Sequence, residues 1–208
     1  RLVLNPYWNI PGSIAADEIV PLIKRDPGYL ERNGIQILSA LDPMATMVDE
    51  ADIDLETVRN GTYRLVQAPG ELNPLGRMKF VLPNPFNIYL HDTPAGKLFE
   101  RQSRDFSHGC IRLERSHDLA AYLLAEDEDW SRAEIERVLA TGENVQIHLA
   151  TRIPVFLLYW TAWVDDAGLV QFRRDIYESD KKLNRALREA GVSQFELEMA
   201  PPRSKSSF

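Results

Sequence analysis

The sequence predicts a mainly β (α+β) domain with peripheral helices, and three observations carry that expectation. Short alternating runs recur at Tyr63–Gln67, 77–82, 87–91 and 145–149, separated by Pro, Gly and polar turns. A longer β-rich run at 154–164 faces a second at 169–173 across an Asp-Asp-Ala-Gly turn, a hairpin signal. Helix-start signals gather in few places, the clearest being Ser131-x-x-Glu134. A chain of 208 residues is long enough for one domain with a proper core.

In chain order, 2–4 is a short apolar strand, and 5–12 is an ordered loop because Pro6 and Pro11 fix the backbone around Tyr7 and Trp8. Those two aromatics read as packing residues. Asp17 is placed to cap a helix over 17–25, with Ile19, Val20, Leu22 and Ile23 inward and Pro21 near the first turn. Asp26-Pro27 restarts a short helix that Gly34 stops, and 35–38 reads as a strand. Residues 40–60 have no period and carry six acids, which predicts a solvated loop. The three strands from Tyr63 to His91 follow, and the last delivers His91 at its C-terminal end. Residues 99–106 carry no fold signal. Ser116 can cap a helix containing Leu119, Ala120, Leu123 and Leu124. The helix opened by Ser131 turns Ile135, Val138 and Leu139 inward and ends at Gly142. Beyond the hairpin, 180–190 reads as an amphipathic helix and 192–208 as a loose tail.

Composition excludes several classes. A net charge of −7 offers no basic footprint for nucleic acid. The longest apolar run, 155–164, is too short to span a bilayer. A single cysteine excludes an internal disulfide. No Gly-rich phosphate loop is present. His108, Cys110, His117 and His148 lack the paired spacing of zinc ligands, so no metal is expected. His148 reads as structural and His117 as a surface residue beside a helix start.

The chemistry concentrates in 88–113, which holds Cys110, His91 and His108. A lone cysteine is most often a small buried hydrophobe. Core cysteines sit in apolar runs, however, and this one follows Ser107-His108-Gly109. Gly109 can take backbone angles that lift the sulfur clear of its neighbours, and consecutive amides there could donate to an oxyanion. A thiol with imidazoles in reach is a candidate nucleophile and base. Two histidines compete for the second role. In extended chain, residues i and i+2 lie about 6.5 Å apart, whereas a base needs roughly 2.6–3.2 Å. A turn at Gly109 could bring His108 closer, while a strand end gives His91 a steadier platform. Tyr89 shares a strand face with His91. Arg112 is the charged helper, holding either a substrate carboxylate or nearby loop carbonyls.

His91 and Ser107-His108-Gly109-Cys110-Ile111-Arg112 together resemble the signature of the YkuD-type L,D-transpeptidases: His, a spacer, then Ser/Thr-His-Gly-Cys, a hydrophobic residue, and Arg or Asn. Wider similarity to the large periplasmic members of Gram-negative bacteria includes NPYWNIP at 5–11, DPGYLERNG at 26–34, QAPG at 67–70, LGRMKF at 75–80, YLHDTP at 89–94 and FRRDIY at 172–177. The resemblance covers roughly residues 2–180. One departure is Asp92, where many relatives have Gly. Another is that the large members carry upstream domains and opening strands not seen here, so the chain is expected to be a piece of a longer protein.

The resemblance implies an L,D-transpeptidase-like β-sandwich/barrel catalytic domain over 1–180. Within it, 12–60 would be a helical capping insertion acting as a lid, and 181–208 a C-terminal helix and tail. It implies Cys110 as nucleophile and His91 as proton-transfer base, with His108 and Gly109 completing the catalytic set. Tyr89, Ser107 and Arg112 would meet substrate. Donor and acceptor would be peptidoglycan tetrapeptide stems, joined 3–3 between diaminopimelates with loss of D-Ala, without metal or organic cofactor. It further implies a periplasmic location, carbapenems as covalent inhibitors, and an upstream peptidoglycan-binding domain. Rival expectations are an L,D-carboxypeptidase or cysteine amidase on the same stems, and a non-catalytic cell-wall binding module.

Overall fold

The structure, a computed structural model, describes residues 1–26, 28–39, 53–106 and 109–191. The expected tail at 192–208, most of the expected acidic loop, Pro27, Ser107 and His108 lie outside the described residues. In chain order the elements are β1 (Leu2–Leu4), β2 (Trp8–Asn9), α1 (Gly12–Ile14), α2 (Val20–Arg25), α3 (Tyr29–Arg32), β3 (Ile35–Ser39), α4 (Leu55–Arg59), β4 (Tyr63–Gln67), β5 (Met78–Val81) and β6 (Tyr89–His91). They continue with β7 (Ile111–Arg112), α5 (Ser116–Leu123), α6 (Arg132–Thr141), β8 (Val145–Ile147), β9 (Ala162–Val164), β10 (Val170–Phe172) and α7 (Ser179–Glu189). The architecture is mixed α+β. It divides into two compact units, Arg1–Arg152 and Ile153–Phe208.

In the first unit a five-stranded sheet runs β7-β6-β5-β1-β8. All its pairings are antiparallel except β6 with β7. Register gives each face its character. Leu2 pairs Phe80 and Ile147, Leu4 pairs Met78, and Phe80 pairs Leu90, so these apolar side chains share one face. That face is buried against Ala120, Leu124, Ile135, Val138 and Leu139 from the α5 and α6 region. Each fully buried Leu there contributes roughly 1.5–3 kcal/mol. The opposite face carries Lys79, Tyr89, His91 and Arg112, and there the site is built.

A second sheet, β2-β4-β3, supports a second core. Ile35, Ile37 and Leu65 pack there with Ala15, Ala16, Ile19, Val20, Ile23, Leu30, Ile53 and Val58. The described part of 12–60 therefore supplies most of a second apolar core, which Ile10 and Leu65 complete from outside the span.

Several expectations are corrected. The first helical segment starts at Gly12, not Asp17, and passes through a π turn at Ala15–Ile19 before α2. Asp17 lies inside that turn and pairs with Arg59 instead of capping, and Leu22 is exposed. Inside the expected loop at 40–60, Asp54 caps α4 reciprocally with Thr57. The stretch 99–106, read as lacking a fold signal, begins inside a 3₁₀ turn, Gly96–Glu100, which takes in its first two residues. Ser116 is the first residue of α5 and makes no cap; its hydroxyl goes elsewhere. His148 lies just past β8.

In the second unit the long strand expected at 154–164 shortens to β9. Strand β10 pairs with it antiparallel, Gln171 opposite Trp163, and Asp165 ties the turn through the Ala167 and Leu169 amides. Helix α7 follows as expected, and Tyr159 donates to the Arg174 carbonyl at 2.6 Å.

Candidate active site

Strand register assembles the site. Lys79 pairs directly with His91 across β5–β6, and Val81 with Tyr89. His91 pairs with Arg112 across the parallel β6–β7 ladder. Paired residues point to the same face, so Lys79, Tyr89, His91 and Arg112 project together. Cys110 stands one residue before β7, level with Tyr89, and a side-chain hydrogen bond joins it to the Tyr89 hydroxyl. The parallel ladder is thus what returns the thiol to the strand carrying His91. Gly109 has φ +135°, a conformation that L side chains rarely adopt, as expected of a residue that turns the chain into Cys110.

Tyr89 and His91 are both buried, at 8% and 4% exposure, and their rings meet edge-on with centroids 5.9 Å apart. Burial pushes the His91 imidazole below its ordinary range. A hydrogen bond to the Asp92 carbonyl and the charge of the Asp92 carboxylate oppose this, and the Arg112 and Lys79 cations reinforce it. The His91 Nδ1 to Asp92 carbonyl distance is 2.5 Å. With the proton on Nδ1, Nε2 is left as the basic nitrogen. Burial, then the charge and hydrogen bond of Cys110, raise the Tyr89 phenol far above its ordinary value, so it remains a donor. Lys79 Nζ lies 3.8 Å from the Tyr89 ring centroid, a cation–π contact. Burial lowers the Lys79 ammonium, and the charge of Cys110 partly restores it.

Arg112 donates to the Phe106 carbonyl at 3.3 Å, the loop-holding role expected as one of its two options. Its Nε is buried without a partner among the described residues. His117 sits on the surface beside Glu136, 3.2 Å away, apart from the thiol's strand. Tyr7 is exposed, and Trp8 packs partly buried against the second core.

Three participants escaped sequence reasoning. Lys79 was hidden because its link to His91 exists only through strand register. Ser116, buried at 4% exposure, donates to Asp92 Oδ1 at 2.8 Å. Gly76 sits against the Asp92 carboxylate, whose Oδ2 accepts from the Arg77 amide at 2.9 Å. The Asp92 side chain is the common partner of Ser116 and Gly76, and the departure from glycine at that position was the available signal.

Comparison with known proteins bears on these residues. The family model described as the L,D-transpeptidase catalytic domain, YkuD, matches residues 1–147, which include every element of the site. A protein of Haemophilus influenzae named "Putative L,D-transpeptidase" is similar, 39% identical over 187 residues. That similarity covers 89% of this chain, and the chain spans 37% of the relative's length.

Proposed function

The chain belongs to the YkuD family of L,D-transpeptidase catalytic domains, and from that premise we propose that it joins peptidoglycan stems through a Cys110 acyl-enzyme. The observation that supports this best is the single sheet face to which strand register brings Tyr89, His91 and Cys110, with a side-chain hydrogen bond between Tyr89 and the thiol.

The proposed reaction runs in two halves. His91 Nε2 takes the thiol proton as the sulfur attacks the carbonyl of diaminopimelate in a tetrapeptide stem. Tyr89 and the amides around Gly109 are the groups near the sulfur able to donate to the developing oxyanion. The tetrahedral adduct collapses, the C–N bond breaks, and His91 returns the proton to the departing D-Ala amine. A thioester remains. The side-chain amine of a second stem's diaminopimelate then attacks, His91 takes its proton, and the restored thiol is released as the 3–3 cross-link forms. Arg112 offers a cation for a stem carboxylate beside its hold on Phe106. Peptidoglycan stems as substrate imply the periplasm as the place of action. A strained β-lactam presents the same kind of carbonyl, so carbapenems are expected to acylate Cys110.

Incubation with purified tetrapeptide muropeptides tests the reading. Cross-linked dimers from the wild type, and none from a folded Cys110→Ala variant, are expected. Trimmed monomers would point to water as acceptor, and unchanged substrate to a binding module. A carbapenem adduct seen by intact-protein mass spectrometry should vanish in Cys110→Ala. An adduct that survives would put the reactive group elsewhere.

A further inference from the structure

We propose that Asp92 is a positioning residue for His91, its carboxylate seated so that its own main-chain carbonyl holds the imidazole in one tautomer and orientation. This rests on the reading of His91 as the base for Cys110. Four contacts converge on Asp92. Its amide donates to the Met78 carbonyl at 2.9 Å, extending the β5–β6 ladder by one bond. Oδ2 accepts from the Arg77 amide at 2.9 Å. Oδ1 accepts from the buried Ser116 hydroxyl at 2.8 Å, at the start of α5. The carbonyl oxygen meets His91 Nδ1 at 2.5 Å.

Gly76 is the seat. A Cβ built there would stand 2.4 Å from Asp92 Oδ2, 2.6 Å from Cγ and 2.7 Å from the Thr93 nitrogen. The Thr93 nitrogen and the Asp92 carbonyl belong to one peptide plane, so a side chain at position 76 would run into the unit that accepts from His91. Gly76 also holds φ +61°, so a side chain there is excluded by conformation as well as by space. A carbonyl just past a strand end has no ladder partner to orient it. Here the side chain on the same residue does so, tying it to the Gly76–Arg77 turn and to α5.

Asparagine and alanine at position 92 separate seat from charge. Asparagine keeps the shape: its oxygen can accept from Arg77, and its amide can donate to a rotated Ser116 hydroxyl. Alanine loses both bonds. The probe is iodoacetamide, because Cys110 is the one thiol in the chain. Alkylation rate is followed against pH, beside thermal unfolding and muropeptide turnover.

Asp92→Ala is expected to lower the alkylation rate at pH 7 about tenfold or more, approaching the His91→Ala profile, since a positioned base contributes roughly 10²–10⁴-fold. Turnover should fall in kcat with KM little changed, and Asp92→Asn should stay within about threefold of wild type, since its contacts survive. A wild-type profile in folded Asp92→Ala overturns the proposal. So does an Asn variant as impaired as Ala, which would make the effect one of charge. If Asp92→Ala does not fold, Ser116→Ala removes one seat bond only; a smaller shift in the same direction supports the proposal, and an unchanged profile overturns it. A His91→Ala profile equal to wild type overturns the underlying reading, and the inference with it.

Discussion

His91 is buried with two cations, Lys79 and Arg112, acting on it, and burial first, then these charges, disfavour its protonated form. The sign of the consequence follows. A base must be neutral to act, and this one stays neutral below the ordinary histidine value of 6.5. The acid limb of kcat/KM is therefore expected below pH 6.5, and a limb above it would remove His91 from the base role. Stability follows the same proton. An unfolded chain binds it more readily than the folded one, so any stability lost through this group is lost as pH falls from 6.5 through the lower folded value. His91→Ala should flatten that part of the stability curve in chemical denaturation at stepped pH. The choice between histidines is tested by alkylating Cys110 in single variants. His91→Ala is expected to slow the reaction at neutral pH more than His108→Ala, and the reverse ranking would transfer the role to His108.

At the scale of elements, legibility in the sequence followed the reach of the forces involved. Strands β4, β5, β6 and β8 were readable because alternation is a local signal of a half-buried ladder. Helix α6 was readable from Ser131, whose side chain accepts from the Glu134 amide at 3.2 Å. Replacing Ser131 with Ala should cost about 1 kcal/mol in urea unfolding, the usual worth of such a cap. No loss would mean that packing of Ile135 and Leu139 alone holds the helix. Where the sequence misled, the deciding contact was distant or unusual. Ser116 looked like a cap, yet a carboxylate 24 positions away takes its hydroxyl. The run at 154–164 is rich in β-formers, but a strand also needs a ladder partner, and only Ala162–Val164 has one among the described residues. Helix α4 was masked by the acidic run around it, although Asp54 and Thr57 carry a reciprocal cap. Of the site, Cys110, His91, Gly109 and Tyr89 were legible because they lie in one short stretch. Lys79, Gly76 and Ser116 were not, because only the folded sheet brings them to it.

At the scale of the first unit, two apolar cores are connected by a polar tie. Asn73, 1% exposed, donates to the Pro6 and Ala68 carbonyls at 3.0 and 3.1 Å and accepts from the Leu75 amide at 2.9 Å. Gln67, at the end of β4, donates to the Asn33 and Leu72 carbonyls. The same segment ends at Gly76 and Arg77, against Asp92 beside the proposed base. The described part of 12–60, expected from the sequence to act as a lid, supplies most of a buried core that Ile10 and Leu65 complete. If it moves over substrate, it is then expected to move as a packed body, because opening that core would expose a dozen apolar side chains at once. Hydrogen exchange distinguishes the two kinds of motion. Amides of Ile35–Ser39 and Tyr63–Gln67 should exchange slowly, at the same rate before and after acylation by a carbapenem. Protection gained on acylation should fall on 67–77, the segment that links β4 to the Asp92 seat. Fast exchange across Ile35–Ser39 that slows with inhibitor would mean that the lid works by local unfolding. An unchanged pattern at 67–77 would mean that the tie does not sense the thiol.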